Sequence, residues 1–215
     1  MSVVGITTRG NQEQADLINL ILDKNIKVVF VEGNAGTGKS FISIASALQT
    51  FIDGRFDRII YTRDLVQVGE PIGFLPGGLE SKVDPYMACL DDSLEAIERI
   101  GGQITVEVAH QYIEVQPITF IRGRSLYNSI ILVDEAQNLD LNTLRTVLTR
   151  LGENSKIILM GSTNQIDKRG QKTSGCDFAK VRDKLMDREY VGYVRLIRSE
   201  RSKICAEIDD LLQEI

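Results

Sequence analysis

The sequence predicts an α/β fold, with a mainly parallel central sheet covered on both faces by helices. Two observations predict it. Short apolar runs rich in Val and Ile alternate along the chain with segments of helical period. The first of these runs also ends in a glycine-rich turn that opens directly into a helical segment. With 215 residues and 43% apolar composition, the chain can bury one sizeable core and is short for two, so one domain over residues 1–215 is expected.

The first strand is expected at Lys27 to Glu32 (KVVFVE), and the helix after it at Lys39 to Phe51, with Gly54 as its stop. Arg58 to Arg63 (RIIYTR) reads as the second strand, Ser129 to Asp134 (SIILVD) as the third and Lys156 to Met160 (KIILM) as the fourth. A helix over Asn142 to Leu151 separates the last two. Tyr190 to Ile197 adds another strand, and Ser199 to Ile215 has Ile204, Ile208, Leu211 and Leu212 at helical spacing. The stretch from Asp64 to Tyr127 mixes turn residues (Gly69, Pro71, Gly73, Pro76, Gly77, Gly78) with a helix over Leu79 to Ile100 and reads as an elaboration of the core pattern.

The totals narrow the function classes. A net charge of -5 gives no basic surplus to announce nucleic acid, although a local Arg/Lys patch fits inside an acidic total. Cys89, Cys176 and Cys205 are widely spaced and His110 is the lone histidine, so neither a zinc site nor a disulfide framework is expected. The first residues carry no signal-peptide core, and no apolar run reaches the roughly 20 residues that span a bilayer. A cytoplasmic protein without membrane contact is therefore expected.

The chemistry starts at GNAGTGKS, residues Gly33, Asn34, Ala35, Gly36, Thr37, Gly38, Lys39 and Ser40, with Phe41 following in the helix. This is a full match to the P-loop pattern in its strand-to-helix context. The glycines let the backbone wrap phosphates, so that N–H groups and a helix N-terminus face the anion. Lys39 is expected at the β- and γ-phosphates and Ser40 at Mg²⁺. A second signal is IILVDEAQN, where an apolar strand ends in Asp134 and Glu135. Asp134 suits Mg²⁺, and Glu135 suits the water that attacks the γ-phosphate. Alone, such a pair is as well explained by a solvated strand end; beside a P-loop it is the expected second half. A third candidate is GSTNQID after KIILM, with Gln165 placed to sense the γ-phosphate, against an ordinary polar turn.

Together with EPIGFLPGGLESKVDPY and IRGRSL, these motifs resemble the PhoH family of P-loop ATPases over nearly the whole chain. The resemblance implies a three-layer RecA-like fold similar to the core domain of superfamily 1 helicases, with ATP and Mg²⁺ as ligands and a helicase-like role on RNA or single-stranded DNA. It supports Lys39, Ser40, Asp134, Glu135 and Gln165 in the roles above, and gives Gln12 a place at the adenine edge, with Gln14 as an equally placed competitor. Two departures stand out: Gly161-Ser162 where the family carries Gly-Asp, and Leu196-Ile197-Arg198-Ser199 where it carries Val-Val-Arg-His.

A RecA-like domain leaves one side of the γ-phosphate open, and fast hydrolysis calls for an arginine there. With room for a single such domain, the chain is expected to form a ring-like homo-oligomer, a hexamer by resemblance, in which an arginine of one protomer completes the next. Arg198 leads, followed by Arg122, Arg124 and Arg201; ordinary surface salt bridges account equally well for any one of them. Arg63 at a strand tip, with Tyr61, Arg122 and Arg124, is a candidate for nucleic-acid contacts. Two rivals share the same cradle: a small-molecule kinase, and an ATP-switched binding module with little turnover. The adjacent acids favour water activation over a kinase, which must exclude water.

Overall fold

The structure is a computed structural model that describes residues 2–8, 10–63, 79–121, 125–163 and 177–200, with side chains of the third helix from residue 87 onward. A two-stranded antiparallel ribbon, β1 (Ser2–Val3) and β2 (Ile6–Thr7), precedes α1 (Gln12–Leu22). Six strands then form one parallel sheet: β3 (Val28–Gly33), β4 (Arg58–Arg63), β5 (Ile113–Val115), β6 (Ser129–Asp134), β7 (Lys156–Gly161) and β8 (Val191–Leu196), in the order β5-β4-β6-β7-β3-β8. The helices are α2 (Lys39–Ile52), α3 (Leu79–Arg99), α4 (Val106–His110), α5 (Ile118–Ile121), α6 (Leu141–Leu148) and α7 (Asp177–Leu185), with a 3₁₀ turn at Ala136–Asn138.

Side chains of a strand alternate between faces, and here both faces are covered. Val29, Val31, Ile59, Tyr61, Ile130, Leu132, Ile158 and Met160 pack with α1 to α4, including Leu17, Ile42, Leu48, Leu90 and Ile97. Their neighbours Val28, Phe30, Ile60, Ile131, Val133, Ile157 and Leu159 pack the other way, against Ile121, Leu144, Val147 and Phe178 of α5 to α7. The near-continuous apolar runs follow from this: β3, β6 and β7 are buried at every position. The result is a three-layer α/β fold with a parallel central sheet, in which β7 lies between the P-loop strand β3 and the acidic strand β6. That order sets the tips of β3, β6 and β7 side by side.

The expected strands and the helix after the P-loop are present to within a residue or two. Helix α2 ends as Gly54 predicted: Gly54 is left-handed (φ 68°), its N–H reaches Phe51 O and the Arg55 N–H reaches Thr50 O, closing a Schellman turn. The helix expected over 142–151 is shorter. It starts one residue earlier, because Asp140 accepts from Thr143 N at 2.7 Å as its N-cap, and it stops at Leu148 because Leu126 N and Gly152 N take the chain onward into a bridge between Leu126 and Leu151. The helix expected beyond Ser199 lies outside the described residues, as do Arg122, Arg124, Gln165, Cys176, Arg201 and Cys205. Among the described residues no helix is long and apolar enough to cross a membrane.

Candidate nucleotide-binding and hydrolytic site

The P-loop runs from the tip of β3 into α2. Gly36 (φ 79°) and Gly38 (φ 87°) hold the left-handed conformations that turn its amides inward. Gly33 is required for a different reason: a Cβ there would lie 2.7 Å from Leu196 O and 2.8 Å from Thr37 Oγ1. Helix α2 opens at Gly38 with no side-chain cap, and a helix N-terminus of this kind suits an anion. Lys39 lies across the loop, its Nζ donating to Gly33 O at 2.6 Å and Asn34 O at 2.9 Å.

The tip of β6 meets the start of α2. Ser40 Oγ donates to Asp134 Oδ1 at 3.3 Å, although the two residues are 94 positions apart. A hydroxyl and a carboxylate at this separation form the hard-oxygen donor pair that suits Mg²⁺, and these residues would hold it. Asp134 is nearly buried and its other oxygen accepts from Tyr61 Oη at 2.8 Å. Tyr61 is therefore not a stacking platform: it is fully buried, and burial followed by the adjacent Asp134 anion raises its pKa, so it remains a donor.

Glu135 follows in the left-handed region (φ 52°, ψ 36°), an uncommon conformation for a residue with a Cβ. Its own amide donates to Asp134 Oδ1 at 3.1 Å. Glu135 Oε2 accepts from Gln137 Nε2 at 2.5 Å, and Gln137 Oε1 accepts from Ser162 N at 3.0 Å. Gln137 thus links the acid to the segment after β7, a role the sequence reading missed although the residue stands two places after Glu135. Arg63, in register with Asp134 on the neighbouring strand, faces both acids: Nη1 is 3.9 Å from Asp134 Oδ2 and Nη2 is 3.6 Å from Glu135 Oε1. Burial alone would lower its pKa; Asp134, then Cys89 and Glu135, outweigh that and raise it.

Thr163, the last described residue after β7, is anchored to β3. Thr163 Oγ1 donates to Glu32 Oε1 at 2.7 Å, and the other Glu32 oxygen takes Arg182 of α7 and the Tyr193 hydroxyl of β8, the latter at 3.0 Å. Next to it, Glu32, Asn34, Ser162, Thr163 and Arg195 line a small cleft.

The two candidate glutamines separate. Gln14 is buried and donates to Thr37 O at 3.2 Å, propping the P-loop; Gln12 is exposed and bonds Asp16 within α1. Arg198 follows β8 with its side chain 60% exposed, beside Glu200 at 3.4 Å, and the Glu200 amide reaches Gly36 O at 2.9 Å. Glu13 Oε2 holds the amides of Ile197 and Arg198. This rim is thus fastened to the loop's own protomer. His110 pairs with Asp91 at 2.8 Å, and Cys89 is a free thiol.

The family model for the PhoH-like protein matches residues 6–213. The chain is 36% identical over 206 residues to Protein PhoH2 of Bacillus subtilis, covering 94% of this chain and 47% of that protein. It is 43% identical over 155 residues to the PhoH-like protein of Synechocystis, covering 72% of this chain and 47% of that one. It spans about half the length of the curated relatives it matches. Among solved structures it is similar to Pif1 helicase from Candida albicans, with a TM-score of 0.47 and 16% identity over 99% of this chain and 44% of that one. A P-loop, an acidic strand tip and a family match across nearly every residue lead to one conclusion: the chain is a nucleotide-binding P-loop protein that belongs to the PhoH family.

Proposed function

We propose that the chain binds ATP with Mg²⁺ and hydrolyses it to ADP and phosphate, and that turnover is coupled to RNA or single-stranded DNA. The observation that carries this is the meeting of Ser40 with Asp134, with Glu135 next to Asp134 at the same strand tip. On this proposal the amides of 33–40 cradle the phosphates, and Lys39 exchanges the Gly33 and Asn34 carbonyls for β- and γ-phosphate oxygens. Mg²⁺, when bound, neutralises charge that develops on the phosphate oxygens. Glu135 takes a proton from water as its oxygen bonds to the γ-phosphorus, and the bridging oxygen leaves with the bonding pair. Tyr61 fixes Asp134, and Gln137 fixes Glu135. Gln165 senses the γ-phosphate, Gln12 reads the adenine edge and Gln14 holds the loop. Residues 1–215 act as one cytoplasmic domain, and a ring of protomers, a hexamer on the family resemblance, supplies Arg198 in trans.

Single-turnover hydrolysis beside equilibrium nucleotide binding tests the core of this. Lys39→Ala is expected to abolish binding or turnover. Glu135→Gln is expected to retain ATP while turnover falls by roughly 10² to 10³. Wild-type turnover in Glu135→Gln refutes the role of Glu135, and phosphate appearing on a small-molecule acceptor rather than in solution favours a kinase.

A further inference from the structure

Arg63 has an arrangement that charge balance alone does not require. Its guanidinium stands over both acids at 3.6 and 3.9 Å, close enough for ion pairs and too far for hydrogen bonds, so its donors are not consumed by the carboxylates. The side chain is 25% exposed at the tip of β4. Glu135 meanwhile has one oxygen on Gln137, and the guanidinium of Arg63 stands 3.6 Å from the other, in the space a water would use to approach it. A cation here also competes with a metal ion for Asp134. A phosphodiester can offer this side chain what the acids at 3.9 and 3.6 Å do not, two anionic oxygens at hydrogen-bonding distance from its fork.

We propose that Arg63 restrains Glu135 until the phosphodiester backbone of a single-stranded nucleic acid draws the guanidinium away, so that strand binding raises turnover through this one side chain. The inference rests on the proposed coupling of ATP hydrolysis to a nucleic-acid strand. The chemistry of the hydrolytic step is unchanged: water donates its proton to Glu135 and its oxygen to the γ-phosphorus. Only the availability of the Glu135 oxygen changes.

The test compares wild type with Arg63→Gln and Arg63→Lys, each with and without poly(U) or oligo(dT), and reads two quantities. One is ATP turnover; the other is the Mn²⁺ concentration that half-saturates the ATP-loaded protein, followed by the paramagnetic signal of free Mn²⁺. In wild type either polynucleotide is expected to raise turnover and tighten Mn²⁺. Arg63→Gln should show a basal rate about fivefold higher, as fits loss of one partly exposed ion pair, and no further response to the strand. Arg63→Lys keeps the charge but loses the fork and should lose most of the strand's effect; it serves if Arg63→Gln does not fold. An unchanged basal rate in folded Arg63→Gln, or a full strand response in either variant, overturns the proposal. Wild-type turnover indifferent to both polynucleotides overturns the coupling and leaves ATP hydrolysis standing. If no variant hydrolyses ATP, the hydrolytic reading falls, and Mn²⁺ affinity unmoved by the strand in wild type still decides against Arg63.

Discussion

At the scale of single residues, the site depends on side chains that touch the acids rather than the nucleotide. Tyr61 was read from the sequence as a nucleic-acid contact, because the alternation of β4 does not reveal that its hydroxyl ends on a carboxylate of the next strand. Replacing it with Phe removes one donor from the nearly buried Asp134, and no other group is changed. The expected loss of stability is about 1 kcal/mol by chemical denaturation. Function should separate more sharply: the Mg²⁺ concentration for half-maximal turnover should rise roughly tenfold, as for other groups that orient metal ligands. Nucleotide affinity measured without Mg²⁺ should stay near wild type. Equal weakening of both would mean that Tyr61 supports the whole loop and not the orientation of Asp134.

At the scale of elements, Lys156 shows how a strand end and a helix end depend on each other. It begins β7, yet it is buried, with Nζ donating to Leu20 O, Ile21 O and Asp23 O at 3.1, 2.5 and 2.7 Å. Three acceptors at the C-terminus of α1 use all three ammonium protons and favour the charged form, while burial, then the neighbouring Lys27, pull its pKa down to about 7. The unfolded chain keeps this proton to about pH 10.4, so between pH 7 and there unfolding takes up a proton and stability rises with pH. Urea denaturation at pH 7, 8 and 9 should show that rise in wild type, by at most about 1.4 kcal/mol per unit, and a flatter profile in Lys156→Met. Parallel profiles would assign the proton elsewhere. The same residue marks the limit of sequence reading. Strands β3, β4, β6 and β7 were legible because burial on both faces forces continuous apolar runs, and the P-loop because its chemistry fixes its spacing. Helix α1 was not read, although Asn11 accepts from Gln14 N as its N-cap and the Asn-x-x-Gln spacing announces such a start. Short β5 and α4 carry too few residues for a period to show. Asp134 and Glu135 were found from the strand tip they occupy. Gln137 and Arg63 owe their places to strand order and a left-handed turn, which no local pattern encodes.

At the scale of the whole molecule, the question is whether one protomer completes its own site. The described side of the site offers Arg198 on the rim, fastened through Glu13 and Glu200 to the same protomer that holds the P-loop. A rim held this way presents its exposed guanidinium outward, where a neighbouring copy would sit in a closed ring. Mixing decides between cis and trans action. Lys39→Ala and Arg198→Ala are each expected to be inactive alone, the second by a factor on the order of 10³ if Arg198 serves as the missing cation. In a trans arrangement a mixed ring contains interfaces that pair the intact Lys39 of one variant with the intact Arg198 of the other, so activity should return on mixing and fall on dilution. Specific activity of wild type should fall over the same concentration range in which scattering shows the ring to dissociate. Silence on mixing, with wild-type activity unchanged down to the monomer, would place Arg198 in its own site and make each protomer a complete hydrolytic unit.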